Sequence, residues 1–265
     1  MILKDVAEYI QKCKDESKDE KPYPLHKYIH HGLSSQAMVF NLIGPLIKRN
    51  DFAPLVKCLQ AKGVDMPIDV KSGAFEFEDR KVFNEDSGQP TSIDVVLKDE
   101  KDQPMIFIES KLVEKVFGGC SVFAGGDCDG RNPVNDKQSC YLHYIGRKYW
   151  DLLEEYGFSS ILENEKQCVF SAYYQFFREV LLSLDKNGVF VLLSDERSPV
   201  FYCKGKNGKE KGLMPFLMDF VPEEHKSRIA AISVQEVVEQ IKKSNRHQDW
   251  IGIFEKKYDL INGHK

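Results

Sequence analysis

The stretch Ser92-Ile-Asp-Val-Val-Leu97, followed by Met105-Ile-Phe-Ile-Glu-Ser-Lys111, decides the fold of this chain. Both segments are short and rich in aliphatic residues, which predicts two β-strands. The connection between them is polar and contains Asp, Glu and Pro, so a turn is natural there. We therefore predict an antiparallel hairpin whose turn is centred between Lys101 and Asp102.

The register of this hairpin follows from its hydrophobic pattern. With that turn, one face of the hairpin becomes nearly all apolar, and Lys111 lies two residues beyond Glu109 on the polar face. A slip of one residue would break the apolar face and would also separate the two carboxylates. The predicted cross-strand pairs are Ile93–Ser110, Asp94–Glu109, Val95–Ile108 and Leu97–Ile106.

Two facing carboxylates with an ammonium group beside them point to metal chemistry. Buried like charges repel each other unless a cation lies between Asp94 and Glu109. Oxygen ligands suit a hard ion such as Mg²⁺ or Mn²⁺, and Lys111 would help to orient or deprotonate an attacking water. From the spacing alone, an ordinary solvated polar face of a sheet explains the three residues about equally well.

The rest of the chain predicts one mixed α/β domain over residues 1–265. Residues 1–22 would form an N-terminal helix and a charged linker, and residues 113–139 a long loop rich in Gly, Asp and Cys. The predicted helices are Val6–Cys13, a helix capped at Ser34 or Ser35, Leu55–Lys62, Cys140–Tyr156, Val169–Leu184 and one with a capping box of Ser233 and Glu236. The other predicted strands are Phe75–Glu78, Gly188–Leu193, Val200–Cys203 and Ile229–Ile232.

Composition limits the classes of protein to which the chain can belong. The net charge is −4, so any binding of phosphates must come from local basic patches or from a bridging cation. The longest apolar runs are far shorter than the roughly 20 residues of a membrane span, and the amphipathic N-terminus does not resemble a secretory signal. We therefore expect a cytoplasmic protein that does not bind membranes.

The motifs resemble those of the PD-(D/E)XK nuclease superfamily, whose fold is restriction-endonuclease-like. The resemblance rests on Pro90-Thr-Ser-Ile-Asp94 followed by Ile106-Phe-Ile-Glu-Ser-Lys111, and it covers roughly residues 24–184. The chain is further similar to a bacterial branch of possible restriction endonucleases of unassigned role, through Ser34-Ser-Gln36, Phe77-Glu78 and Glu114. Pro90 stands four residues before Asp94 rather than beside it, but the position of this proline varies within the superfamily.

This resemblance implies a small mixed central β-sheet flanked by helices, and it assigns roles to individual residues. Asp94, Glu109 and the Ser110 carbonyl would bind Mg²⁺ or Mn²⁺, while Lys111 would activate water. Glu78 would be a further acidic ligand, with Glu76 as its alternative. The partner would be a nucleic acid, most simply DNA, and the resemblance leaves a homodimer open.

Several accessory residues have a functional and an ordinary explanation. Gln36 and Gln175 would reach the site from helices, although a surface Gln36 is equally reasonable. Arg178 would either contact a phosphate or only extend its charge to solvent. The basic segment Lys204–Lys211 is predicted to be a hairpin loop that either grips a nucleic-acid backbone or is simply solvated.

The chain contains seven cysteines, an odd number, and this indicates free thiols rather than a disulfide framework. An iron–sulfur cluster or zinc is conceivable, but the spacings are wide and no Cys-x-x-Cys pair exists, which argues against either centre. The four candidate ligands are Cys120, Cys128, Cys140 and Cys168.

Three functions are compatible with these patterns. The first is a metal-dependent nuclease that hydrolyses phosphodiesters by attack of water. The second is a module of nuclease-like fold that binds nucleic acid or a protein without cutting. The third is a hydrolase of small phosphoesters, which the net charge of −4 mildly favours over a duplex binder.

Overall fold

A five-stranded mixed β-sheet forms the centre of the protein. The computed structural model describes residues 1–17, 22–64 and 69–260, so part of the predicted charged linker lies outside it. The first three strands in sheet order run antiparallel, and the last two join them in parallel. In sheet order the strands are β1 (Ser72–Glu78), β2 (Ser92–Lys98), β3 (Pro104–Lys111), β4 (Val189–Ser194) and β7 (Ile229–Ser233).

Helices cover both faces of this sheet, as predicted for a restriction-endonuclease-like core. One apolar core contains residues of α1 (Lys4–Asp15), α2 (Ser35–Arg49), α3 (Ala53–Ala61), α11 (Val234–Lys243) and α12 (Ile251–Lys257). The second core, on the opposite face, contains residues of α6 (Tyr149–Glu155), α7 (Phe158–Leu162), α8 (Phe170–Asp185) and α9 (Leu213–Met218). The remaining elements are short: α4 (Ser121–Ala124), a 3₁₀ turn (Lys137–Ser139), α5 (Tyr141–Tyr144), α10 (Glu223–Lys226) and the two-stranded hairpin β5 (Cys203–Lys204) and β6 (Glu210–Lys211). In the described ranges, no helix combines the length and apolar character needed to cross a membrane.

The predicted hairpin register is confirmed where the strands pair. Val95 lies opposite Ile108 and Leu97 lies opposite Ile106, after which the register shifts as the turn begins. The prediction that only one face of the hairpin is apolar, however, is wrong, because helices cover the sheet on both sides. Val95 and Leu97 pack in one core, whereas Ile93 and Val96 pack in the other.

Ile93 packs in the other core because the neighbouring strand β1 is irregular beside it. The β1–β2 ladder pairs Phe75 with Val95 and Phe77 with Ile93, and it skips the position of Glu76 and Asp94 between them. Glu76 has a φ of 56°, in the left-handed region, so the strand no longer alternates in the ordinary way there. Phe75 therefore packs in one core and Phe77 against the other.

Two further predictions were wrong in detail. The helix predicted over residues 140–156 is interrupted between α5 and α6, where Gly146 has a φ of 87°. A left-handed glycine ends an α-helix, so the apolar stripe continues across two short helices rather than one long one. Residues 200–203 form a strand only from Cys203 onward, within the hairpin that the basic loop closes.

The helix ends are set largely as the sequence predicts. The Ser34 side chain accepts a hydrogen bond from the Ala37 backbone and begins α2. Ser233 and Glu236 form the predicted capping box at the start of α11, with each side chain bound to the other's backbone. Such caps contribute about 1 kcal/mol each, and the first of them positions the helix that carries Gln36.

A buried histidine makes the fold sensitive to acid. His247 is fully buried, its Nδ1 accepts a hydrogen bond from the Trp250 indole at 3.1 Å, and its Nε2 lies 3.0 Å from Asp51. Nδ1 therefore carries no proton and Nε2 donates to Asp51. Burial lowers the pKa of His247, against the opposing effect of Asp51. The unfolded state then binds more protons than the folded state just below the usual histidine pKa, so stability is lost as the pH falls from about 6.5.

We expect the free energy of unfolding to decrease between pH 7 and pH 5 through this group. The His247→Gln variant provides the control, because it removes the titrating ring while its side-chain amide can still donate to Asp51. Chemical unfolding of both proteins across this pH range should give a smaller pH-dependent loss for the variant. Equal slopes for the two proteins would show that His247 does not carry the effect.

Candidate active site

A cleft of about 980 Å³ opens where the ends of β1, β2 and β3 meet α2 and α8. Most of the side chains predicted to carry the chemistry line this cleft, and they come from segments far apart in the sequence. Those lining it are Gln36, Glu76, Glu78, Asp94, Glu109 and Gln175. Lys111 joins them through hydrogen bonds to Glu109 and Gln175.

Asp94 and Glu109 form the acidic centre of the cleft. Asp94 accepts a hydrogen bond of 2.8 Å from the backbone N–H of Ser110, which fixes its carboxylate beside β3. Burial raises the pKa of Asp94 well above its usual value, and repulsion from Glu109 and Glu76 adds to this rise. Glu109 is only 4% exposed. The two carboxylates therefore lie in one electrostatic environment, where a bound cation would relieve their repulsion.

Lys111 is held as a buried ammonium group. Its Nζ donates to Glu109 Oε1 at 2.7 Å and to Gln175 Oε1 at 2.9 Å. Burial alone would lower the pKa of Lys111, but Glu109 and Glu179 outweigh it and raise the pKa above its ordinary value. Lys111 is therefore charged at neutral pH and can only donate hydrogen bonds.

Gln175 connects the helix α8 to this pair. Its Nε2 donates to Glu109 Oε1 and to Glu179 Oε1, at 2.7 and 2.8 Å, while its backbone N–H donates to the Gly118 carbonyl. The amide thus contacts a carboxylate through its nitrogen and Lys111 through its oxygen. This contact fixes Glu109 and Lys111 relative to each other.

The opposite wall of the cleft is formed by Gln36 and two glutamates of β1. Gln36 Nε2 donates to Glu76 Oε1 at 2.6 Å and to the Pro24 carbonyl at 2.9 Å. Burial raises the pKa of Glu76 to about 7, with the Gln36 hydrogen bond opposing this and Glu109 and Glu78 adding to it. Both Glu76 and Glu78 line the cleft, and the charge of Glu76 contributes to the raised pKa of Asp94.

Glu179 is a residue of the cleft that the sequence did not suggest. It is 1% exposed, and burial and repulsion by Glu109 raise its pKa well above the usual value. One of its carboxylate oxygens has no hydrogen-bond partner among the described residues. Its position four residues after Gln175, one turn further along the same helix, is the signal that would have revealed it.

At the edge of the cleft, the buried Glu85 and the largely buried Arg178 form an ion pair of 2.9 Å. Glu85 also accepts from the Thr91 backbone at 2.6 Å and from the Tyr149 hydroxyl at 2.5 Å. Arg178 lies against the ring of Tyr174, 4.5 Å from its centroid. Arg178 is therefore more than a charge at the edge of an apolar stripe, because it ties α8 to the segment that leads into β2.

The donor set suits a hard divalent cation that retains several waters. Among the described residues, no group of three or more His, Cys, Asp or Glu side chains is arranged to hold a metal ion by itself. Mg²⁺ commonly binds through one or two carboxylates, with waters and substrate phosphates completing the shell. Asp94 and Glu109 supply two such carboxylates in a cleft open to a ligand, so these residues fit the ion.

The fold and the cleft define a restriction-endonuclease-like protein. Its mixed sheet flanked by helices carries Asp94 on one strand and Glu109 with Lys111 on the next. Residues 1–259 match the family described as restriction endonuclease associating with ARP, and the chain belongs to that family. No curated protein and no solved structure is significantly similar to the chain.

Proposed function

We propose that the protein is a metal-dependent nuclease that hydrolyses phosphodiester bonds of DNA. The observation that supports this most directly is the juxtaposition of Asp94, Glu109 and Lys111 in one open cleft. Membership of a restriction-endonuclease family adds weight to a nucleic-acid substrate. Localisation in the cytoplasm and assembly as a homodimer stay predictions.

Each side chain has a role that follows from its contacts. Asp94 and Glu109 would hold Mg²⁺, assisted by the Ser110 carbonyl and by Glu78 or Glu76. The bound ion would polarise phosphate oxygens and lower the pKa of water. Lys111 would donate hydrogen bonds to the attacking water or to the phosphate, where negative charge develops. Because an ammonium group accepts no proton, the proton released by water has to go to a carboxylate of the cleft.

Gln175 and Gln36 would position these groups. Gln175 keeps Lys111 and Glu109 in contact, and Gln36 keeps Glu76 turned toward Asp94. Arg178 lines the cleft beside Thr91 and Ser92, where its guanidinium could meet a phosphate next to the one that is cut.

A cleavage assay tests this function directly. The purified protein is incubated with supercoiled plasmid, linear duplex and single-stranded DNA or RNA, in Mg²⁺, in Mn²⁺ and in EDTA. We expect cleavage of DNA with either metal and none with EDTA. If no nucleic acid is cut under any of these conditions, the proposal fails, and binding without metal dependence would instead support the non-catalytic module.

A further inference from the structure

Four of the seven cysteines line one small cavity beside the start of α8. Val122, Phe123, Leu142 and Phe170 form much of the rest of its wall, so the space between the thiols is otherwise largely apolar. All seven cysteines are free thiols, and the other three lie outside this cavity. The four that converge are Cys120, Cys128, Cys140 and Cys168.

The backbone around Cys128 is arranged to donate to its sulfur. Gly130 donates its N–H to Cys128 Sγ at 3.4 Å, and Gly130 has a φ of 74°. A Cβ at Gly130 would lie 2.6 Å from the Phe123 ring, so both the conformation and the packing require glycine. N–H groups directed at cysteine sulfurs are a feature that tunes metal–thiolate centres.

Cys168 is fixed by backbone hydrogen bonds at the start of α8. The Ser171 backbone N–H donates to the Cys168 carbonyl at 3.0 Å, and the Cys168 N–H donates to the Gly130 carbonyl at 2.8 Å. Burial raises the pKa of Cys168 to about 12, and the nearby thiols of Cys140 and Cys120 contribute to this rise. These three sulfurs therefore lie close enough to influence one another.

We propose that these four cysteines bind an iron–sulfur cluster. Four thiolates are the usual ligand set of [2Fe–2S] and [4Fe–4S] clusters, and soft sulfur ligands select such centres. The four thiols line one common cavity, as the ligands of a shared centre must. Four thiolates also bind a single Zn²⁺, so metal analysis has to distinguish the two centres.

The cluster would fasten the loop that borders the catalytic cleft. The N–H of Cys120 donates to the Phe170 carbonyl at 2.9 Å, and a Cβ at Gly119 would lie 2.4 Å from the Ser171 carbonyl oxygen. Gly118 and Gly119 line the cleft itself. A centre bound by Cys120 and Cys168 would therefore hold the cleft wall against the first turn of α8.

Metal analysis of the intact chain tests the proposal without reference to nuclease activity. The protein is purified without oxygen, and its iron, acid-labile sulfide and zinc are measured together with its visible absorption. We expect iron and sulfide in equal amounts, about two or four of each per chain, and a brown colour. One zinc per chain without iron would overturn the cluster. Absence of metal, persisting after reconstitution with ferrous iron and sulfide, would overturn it as well.

Two variants assign the cluster to this cavity. Cys128→Ser should lose most of the iron and sulfide, whereas Cys203→Ser, outside the cavity, should retain them. Equal iron in both variants would place the centre elsewhere and refute the assignment. If Cys128→Ser does not fold, Cys140→Ser, which changes another cysteine of the cavity, replaces it in the same comparison.

Discussion

Replacement of Asp94 by Asn is expected to reduce metal-dependent DNA cleavage by about a thousandfold or more. The substitution removes one of two carboxylates that would hold the cation, and a loss of about 4 kcal/mol of transition-state stabilisation corresponds to roughly that factor. Initial rates on supercoiled plasmid at saturating Mg²⁺ measure the effect. A rate within a few fold of the unaltered protein would remove Asp94 from the proposed mechanism.

The same substitution should leave the fold intact, and this separates a catalytic effect from a structural one. The Asn side-chain oxygen can still accept the Ser110 N–H, and the variant lacks the charge that Glu109 and Glu76 repel. The free energy of unfolding without metal should therefore be unchanged or higher. Asp102→Asn is the matched control, since its side chain lies on the turn of the hairpin and is 74% exposed.

The second large effect is expected on stability. Glu85→Ala should lower the free energy of unfolding by about 3–5 kcal/mol, because it leaves the largely buried Arg178 guanidinium without its partner. The Thr91 N–H and the Tyr149 hydroxyl lose their acceptor as well. Denaturant unfolding, monitored by circular dichroism, measures the loss.

An exposed ion pair provides the comparison for Glu85. The Arg49–Asp249 pair is shorter, at 2.6 Å, but its side chains are 29% and 57% exposed. Asp249→Ala should therefore cost less than about 1 kcal/mol. The double variant Glu85→Ala with Arg178→Met should recover part of the stability, because it removes the uncompensated charge. If Glu85→Ala lowers the free energy of unfolding as little as Asp249→Ala does, burial does not make the Glu85–Arg178 pair important for stability.

The fold class and the hairpin register were predictable because they depend on local patterns. The pairs Val95–Ile108 and Leu97–Ile106 follow from apolar residues that alternate along two neighbouring strands. This pattern lies entirely within two short segments of sequence. The capping box at Ser233 is equally local. The left-handed Glu76 was not predictable, because a glutamate in an alternating strand gives no indication of a backbone reversal.

The parts of the site that depend on tertiary structure were only partly accessible from the sequence. Asp94, Glu109 and Lys111 lie within one hairpin, so their proximity could be reasoned from spacing. Glu179 reaches them from a helix about 70 residues further along the chain, and its role depends on how that helix packs. The convergence of the four cysteines also depends on tertiary packing, because their wide spacing in the sequence does not indicate that they lie together.

The reversal at Glu76 has a consequence for any attempt to stabilise this protein. A glutamate with a φ of 56° is locally unfavourable by about 1 kcal/mol or more, and glycine would adopt that conformation freely. Design methods that optimise folding energy alone would therefore prefer Glu76→Gly and delete the carboxylate that faces Asp94. A thermostable variant obtained in that way would lose an acidic group of the cleft, so residue 76 should be held fixed in such work.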